Sequence, residues 1–167
     1  MRSGGRGSFV LLLLVAVVLL RPWESWDRLG GDEPRSATVF VTRVVDGDTV
    51  EVQLGGREED VRYIGVDTPE TVKPGAPVDC YGPQASAFNH RLVEHRRVRL
   101  VFGAERRDVY GRLLAYVYLG KRFVNAELVR RGLARTLTIP PNDRFAGRLK
   151  RLEMAAARTG RGLWGAC

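Results

Sequence analysis

Residues 38–66 read TVFVTRVVDGDTVEVQLGGREEDVRYIGV. Val39, Val41, Val44, Val50, Val52 and Leu54 are interleaved with polar positions, giving the near-alternation of half-buried strands. Asp46-Gly47-Asp48 interrupts the run as a turn, and Gly55-Gly56 gives a second hairpin signal. A third strand is expected over roughly Glu59 to Val66. Three consecutive strands with tight turns predict an antiparallel meander that curls into a small barrel.

Downstream, Asp67 to Tyr81 contains three Pro and Gly75 and reads as a surface loop. Gly82-Pro83 opens a helix, because Pro loses nothing in a first turn whose N–H groups lack partners anyway. Ala85, Phe88 and Leu92, followed by His95, form its apolar stripe with a polar end. His90 and His95 point to different faces and are read as structural or solvated. Strands return at Arg97 to Phe102 and Leu113 to Leu119, joined by the charged stretch Glu105 to Arg112. Asn125 is expected to cap a short helix through Arg131 that Gly132 ends. A last helix is expected from Asp143 to Arg158, with Phe145, Leu149, Leu152 and Ala156 at helical spacing. Its many Arg read as a mixed surface. The order is three strands, a helix, two strands and two helices, without internal repeats.

Upstream, Arg2 and Arg6 precede an unbroken apolar run from Phe9 to Leu20, which Arg21-Pro22 stops. A positive region followed by an apolar run of this length reads as an export segment. As a helix it would span about 18 Å, against roughly 30 Å of hydrocarbon. No small-x-small cleavage site follows, so a cleaved signal and a short membrane anchor through residues 9–20 both remain open. The expected organisation is 1–22 signal or anchor, 23–37 linker, and 38–167 a single folded domain. The product is expected to be exported, either secreted or attached to the outer face of the cytoplasmic membrane.

The 167 residues carry Lys+Arg 27 against Asp+Glu 19, a net charge of +8. The first 37 hold five Arg and four acidic residues, so +7 stays with residues 38–167. A polyanion is the default partner for such a domain. Two His and two Cys exclude zinc fingers, His-rich metal sites and a dense disulfide framework.

Unusual residues gather at the ends of the expected strands. Asp46-Gly47-Asp48-Thr49 puts two carboxylates at a turn, and Asp67-Thr68-Pro69-Glu70 puts two more after the third strand, which itself carries Arg62. Tyr110-Gly111-Arg112 enters the fifth strand. Curling of the strands would bring Asp48, Asp67, Glu70, Arg62 and Arg112 to one barrel end. Carboxylate oxygens suit Ca²⁺ or Mg²⁺. A further carboxylate can orient or deprotonate water, and two Arg can fork onto phosphoryl oxygens. Together these functions are those of phosphodiester cleavage. Taken singly, each piece also has a purely structural reading as a turn, a loop or a surface charge.

Six ordered blocks then carry a resemblance. They are Val45-Asp46-Gly47-Asp48-Thr49-Val50, the run from Arg62 to Glu70, Tyr81-Gly82-Pro83-Gln84-Ala85-Ser86, Tyr110-Gly111-Arg112, the run from Val124 to Val129, and Gly162-Leu163-Trp164. The sequence resembles the staphylococcal nuclease (thermonuclease) family over nearly all of Thr38 to Trp164. The resemblance implies a mainly β fold with α, an OB-fold five-stranded barrel with three helices. It implies Ca²⁺ as cofactor, with Asp48 and Asp67 as ligands and Thr68 offering its backbone carbonyl. Glu70 matches the general base or water-orienting residue, Arg62 and Arg112 the guanidinium groups on the scissile phosphate, and Tyr110 a tyrosine near the bound nucleotide. Asp46 matches a nearby carboxylate that is not a principal ligand. The implied reaction is endonucleolytic cleavage of DNA and RNA to 3′-phosphate ends. Val109 stands where the family's thermonuclease has a lysine, and Thr136 to Pro141 lacks that enzyme's tyrosines. Arg96, Arg97, Arg106 and Arg107 are extra positive charges.

Cys80 and Cys167 are the only cysteines. Export to oxidising surroundings makes a disulfide between them the leading expectation, worth on the order of 4 kcal/mol in the chain-entropy account. Free thiols and pairing between chains are the alternatives. A monomer is expected. The competing functional class is a non-catalytic nucleic-acid-binding OB domain, which would have no need of a complete catalytic set.

Overall fold

The computed structural model describes residues 35–71 and 78–167. The expected export segment and the linker as far as residue 34 lie outside the described residues. Strand β1 (Ser36–Val44) starts two residues before the expected Thr38 and pairs antiparallel with β2 (Thr49–Leu54). β2 pairs with β3 (Arg57–Tyr63) across Gly55-Gly56, whose φ of 60° and 78° suit a primed hairpin turn.

Helix α1 (Gly82–Val93) starts at the predicted Gly82-Pro83 and buries Ala85, Leu92 and Val93. β5 (Arg97–Arg107) runs past the expected Phe102 and pairs antiparallel with β1 and with β6 (Leu113–Leu119). β3 and β6 then pair parallel, with Val61 against Leu113 and Tyr63 against Ala115. That pairing closes the ring β3-β2-β1-β5-β6 into a five-stranded mixed barrel of the OB type. Its core holds Val41, Val50, Val52, Val61, Leu100 and Val117, each with no exposed surface.

The expected third strand from Glu59 to Val66 is in fact two. β3 stops at Tyr63, and β4 (Gly65–Asp67) leaves the barrel to pair antiparallel with β8 (Arg135–Leu137). Ile64 makes the break: its N–H donates to Ala115 O at 3.0 Å, while its carbonyl accepts from Asn125 Nδ2 at 2.8 Å. Gly65 takes φ 81°, and a Cβ there would lie 2.6 Å from Leu149 Cδ1. The redirected strand carries Asp67 to the barrel end.

Asn125 is not a cap. After the short β7 (Arg122–Phe123), α2 (Val124–Arg130) starts two residues earlier, with Phe123 at the N-cap and no side-chain cap. Asn125 is fully buried in the first turn and bridges two strands, its Oδ1 accepting from Val117 N–H at 2.9 Å. A buried amide with both ends satisfied fixes its neighbours as a cap cannot. α3 (Ala146–Arg158) starts three residues later than expected, and a four-residue turn, α4 (Leu163–Ala166), follows. Leu163 N–H donates to Gly132 O at 2.9 Å. A Cβ on Gly132 would sit 2.0 Å from Arg161 O, so only glycine permits this approach.

Candidate active site

The β1–β2 turn is built on Asp46, whose Oδ1 accepts from Asp48 N–H at 2.9 Å. A Cβ on Gly47 would lie 2.6 Å from Thr68 Oγ1, so the absent side chain leaves room for Thr68. Thr68 donates to Asp48 Oδ2 from its N–H at 2.7 Å and its hydroxyl at 3.0 Å. Asn89 of α1 braces the turn from beneath, donating to Asp46 O at 3.0 Å and accepting from the Tyr63 hydroxyl at 3.1 Å.

Arg62 lies between the two expected ligand carboxylates. Its Nη1 is 3.1 Å from Asp48 Oδ2 and its Nη2 is 2.9 Å from Asp67 Oδ1. Nη1 also donates to Val66 O at 2.8 Å, which locks the guanidinium to β4. Asp48 is 3% exposed. Burial pushes its carboxyl up to about 7, Arg62 and the Thr68 donors act against that, and the neighbouring Asp46 adds to it. The interior cost of the charge is only partly offset by the protein.

Glu70 and Arg112 share a cleft with Asp46 and Thr49. Glu70 Oε1 accepts from Thr71 N–H at 2.9 Å. The Glu70 backbone is held by Asp79, which accepts from Glu70 N–H at 3.0 Å through Oδ2 and donates to Glu70 O at 2.9 Å. Arg112 is aimed by Asp108, which accepts from its Nε at 2.7 Å. Asp108 Oδ1 also accepts from the N–H groups of Tyr110 and Arg112, each at 3.0 Å. Tyr110 is exposed, its ring 5.4 Å from the Arg112 guanidinium carbon. On its other side Arg112 joins Arg62, Tyr110, Leu114, Leu137 and Ile139 around a cleft of about 290 Å³. Five of the expected residues therefore meet at one barrel end: Asp48 and Asp67 joined through Arg62, and Glu70 and Arg112 in one cleft, with Arg112 also lining the cleft of Arg62.

The model for the family described as staphylococcal nuclease homologue matches residues 60–166. A thermonuclease of Staphylococcus hyicus is 43% identical over 93% of this chain and 95% of its own length. That of Staphylococcus intermedius is 40% identical over the same shares. Endonuclease YncB of Bacillus subtilis is 38% identical over 80% of this chain and 64% of its own.

The chain belongs to the staphylococcal nuclease family. As a member of it, the protein is a hydrolytic nuclease, and its substrates are nucleic acids. The family's metal dependence gives the oxygen-rich corner of this nuclease a chemical test. Asp48 and Asp67 offer carboxylate oxygens on either side of Arg62, and the raised Asp48 carboxyl marks negative charge that the protein leaves under-compensated. Among the described residues no group of three His, Cys, Asp or Glu is placed to hold a metal. Two carboxylate oxygens are donors of the kind that suits a hard cation rather than zinc, although in this structure the Arg62 guanidinium stands between them.

Cys80 and Cys167 are bonded in this nuclease, with Cα atoms 6.0 Å apart. The bond joins the residue after Asp79 to the end of α4. The sequence reading missed Asp79, Asp108 and Asn89 as supports of the site. Asp108, ahead of Tyr110-Gly111, carried the signal of an Asx turn. Asp79 carried none, because its partner lies nine residues back in the sequence.

Proposed function

We propose that this nuclease is an exported, Ca²⁺-dependent endonuclease that hydrolyses DNA and RNA and leaves 3′-phosphate ends. The observation that carries the reading is the position of Arg112, shared by the cleft of Glu70 and the cleft of Arg62. A phosphodiester lying between the clefts meets two guanidinium groups and, on the Glu70 side, a carboxylate. Asp48, Asp67 and the Thr68 carbonyl would hold Ca²⁺. Bound there, Ca²⁺ would supply positive charge against the negative charge that grows at the phosphoryl group.

Glu70 orients the water and accepts its proton as the new P–O bond forms, an effect typically worth about 10²–10⁴-fold. Arg62 and Arg112 donate to the phosphoryl oxygens as their charge grows. The P–O5′ bond breaks, its electron pair leaves with the 5′ oxygen, and that oxygen takes up a proton. The products are a 3′-phosphate and a 5′-hydroxyl. Export rests on the charged and apolar pattern of residues 2–22 and agrees with a chain whose two cysteines are paired. Secretion and attachment to the outer face of the membrane through residues 9–20 are both compatible with it. A monomer is proposed for a site assembled within one chain.

The test uses denatured and duplex DNA and RNA, first with Ca²⁺ and then with chelator. Ca²⁺-dependent cleavage to 3′-phosphate ends is expected, with Glu70→Gln reduced by about 10²-fold or more. Undiminished cleavage by Glu70→Gln would overturn the mechanism. Tight binding by wild type without cleavage would instead favour the non-catalytic OB domain.

A further inference from the structure

The outer face of β6 leads away from the cleft. Side chains two apart share a face of a strand, so Leu114, which lines the cleft, is followed by Tyr116 and Tyr118. Asn142 lines the same cleft and accepts from the Tyr116 hydroxyl at 3.2 Å through its backbone oxygen. Tyr116 meets Phe145 edge-on with centroids 4.7 Å apart, and Tyr118 stacks on Phe123 at 4.8 Å.

Three exposed arginines cover this aromatic row. Arg99 lies 4.5 Å from the Tyr118 centroid, Arg144 5.1 Å from Phe145, and Arg148 5.4 Å from Phe123. Several other arginines are paired with carboxylates, Arg43 with Glu51, Arg107 with Glu59, Arg112 with Asp108 and Arg130 with Glu127, while Arg135 lies over Trp164 away from this row. None of the three over the aromatic row has a carboxylate within ion-pair distance among the described residues. Stacking fixes the guanidinium planes and leaves their N–H edges for an outside acceptor. Asp143 is the acidic residue of the adjoining loop, and it is outnumbered.

We propose that Arg99, Arg144 and Arg148, seated on Tyr118, Phe145 and Phe123, form a phosphate-binding track that guides the substrate strand beyond the catalytic cleft. From Leu114 to Tyr118 the strand covers about 13 Å, long enough to follow more than one phosphate of a bound strand. The track makes a polymer bind more tightly than the cleft alone can hold a short substrate. The inference rests on the nuclease reading, since it takes the cleft as the place where the strand is cut.

The test compares the full-length wild type with an Arg99→Gln/Arg144→Gln/Arg148→Gln variant. Binding to long single-stranded DNA is measured in chelator across a salt series, and cleavage of that DNA and of a dinucleotide is measured with Ca²⁺. Three lost contacts should lower the slope of log K against log salt by about 2. KM for long DNA should rise about tenfold or more, while kcat/KM for the dinucleotide stays unchanged. An unchanged slope and KM on long DNA, or an equal loss on the dinucleotide, would overturn the track. So would loss of binding to phosphatidylglycerol vesicles with DNA affinity retained, since the face would then serve a membrane. If the triple variant fails to fold, Arg99→Gln alone should lower the slope by about 0.7, and no change refutes the proposal. Failure of the wild type to cut either substrate would strike the catalytic reading, while the binding slopes still judge the track.

Discussion

Two carboxylates in this protein are almost equally shielded from water, Asp48 at 3% exposure and Glu153 at 6%, yet folding shifts them in opposite directions. Burial would raise Glu153 too, but the Lys150 ammonium and the N–H and hydroxyl of Thr136 bring it below the usual carboxylate range. Asp48 has donors of the same kinds in Thr68 and Arg62, yet it is pushed up to about 7. Two things differ. Asp46 adds a second negative group beside Asp48, and Arg62 divides its guanidinium between Asp48 and Asp67. Glu153 is satisfied by its own fold and ties β8 to α3. Asp48 is satisfied only in part.

The comparison can be broken most sharply at Arg62. Arg62→Gln should cut nuclease activity by about 10²–10³-fold, whereas Glu153→Gln should leave kcat/KM within a few-fold; equal losses in the two would erase the distinction. Next in size is the covalent tie, where Cys80→Ser/Cys167→Ser should cost about 2–4 kcal/mol in denaturant unfolding. Calcium should then separate the carboxylates directly. At 100 times its dissociation constant it should add about 2.7 kcal/mol of stability, an increment that Asp48→Asn abolishes and Glu153→Gln preserves. A Ca²⁺-dependent shift in melting temperature that survives Asp48→Asn would remove Asp48 from the ion's shell.

Acid gives the smallest effect and a clear sign. Glu153 is lowered on folding, so its stabilisation is full above about 4.5 and is lost as pH falls through its folded value. Glu153→Gln should cost about 1–3 kcal/mol at neutral pH, and the gap to wild type should close in thermal melts carried down through that range.

Much of this was legible in residues 38–66, because alternation and glycine turns are local signals that specify β1, β2 and their hairpin. The parallel closure of β3 on β6 was not, since residues 61 and 113 share no local pattern. The break at Ile64 was hidden for a related reason: Asn125, far along the chain, takes the carbonyl that a continuous strand would have paired. Asn125 itself read as a cap because asparagine near a helix start suits a cap and a buried bridge equally. The candidate site followed the same division. Residue types at turns marked Asp48, Asp67 and Glu70, whereas Asp79, which holds Glu70 from nine residues away, depended on a contact that only the folded chain makes.

The bond between Cys80 and Cys167 spans 87 positions of sequence. It turns everything from α1 to α4 into one covalent ring, with β1 to β4 attached as an open arm. A single protease cut within the ring therefore releases no fragment: the nicked molecule keeps its mass, apart from one added water, until a reductant is supplied. Outside the cell, where proteases abound and thiols are scarce, such a molecule could be cut once and still keep the two halves of its barrel together.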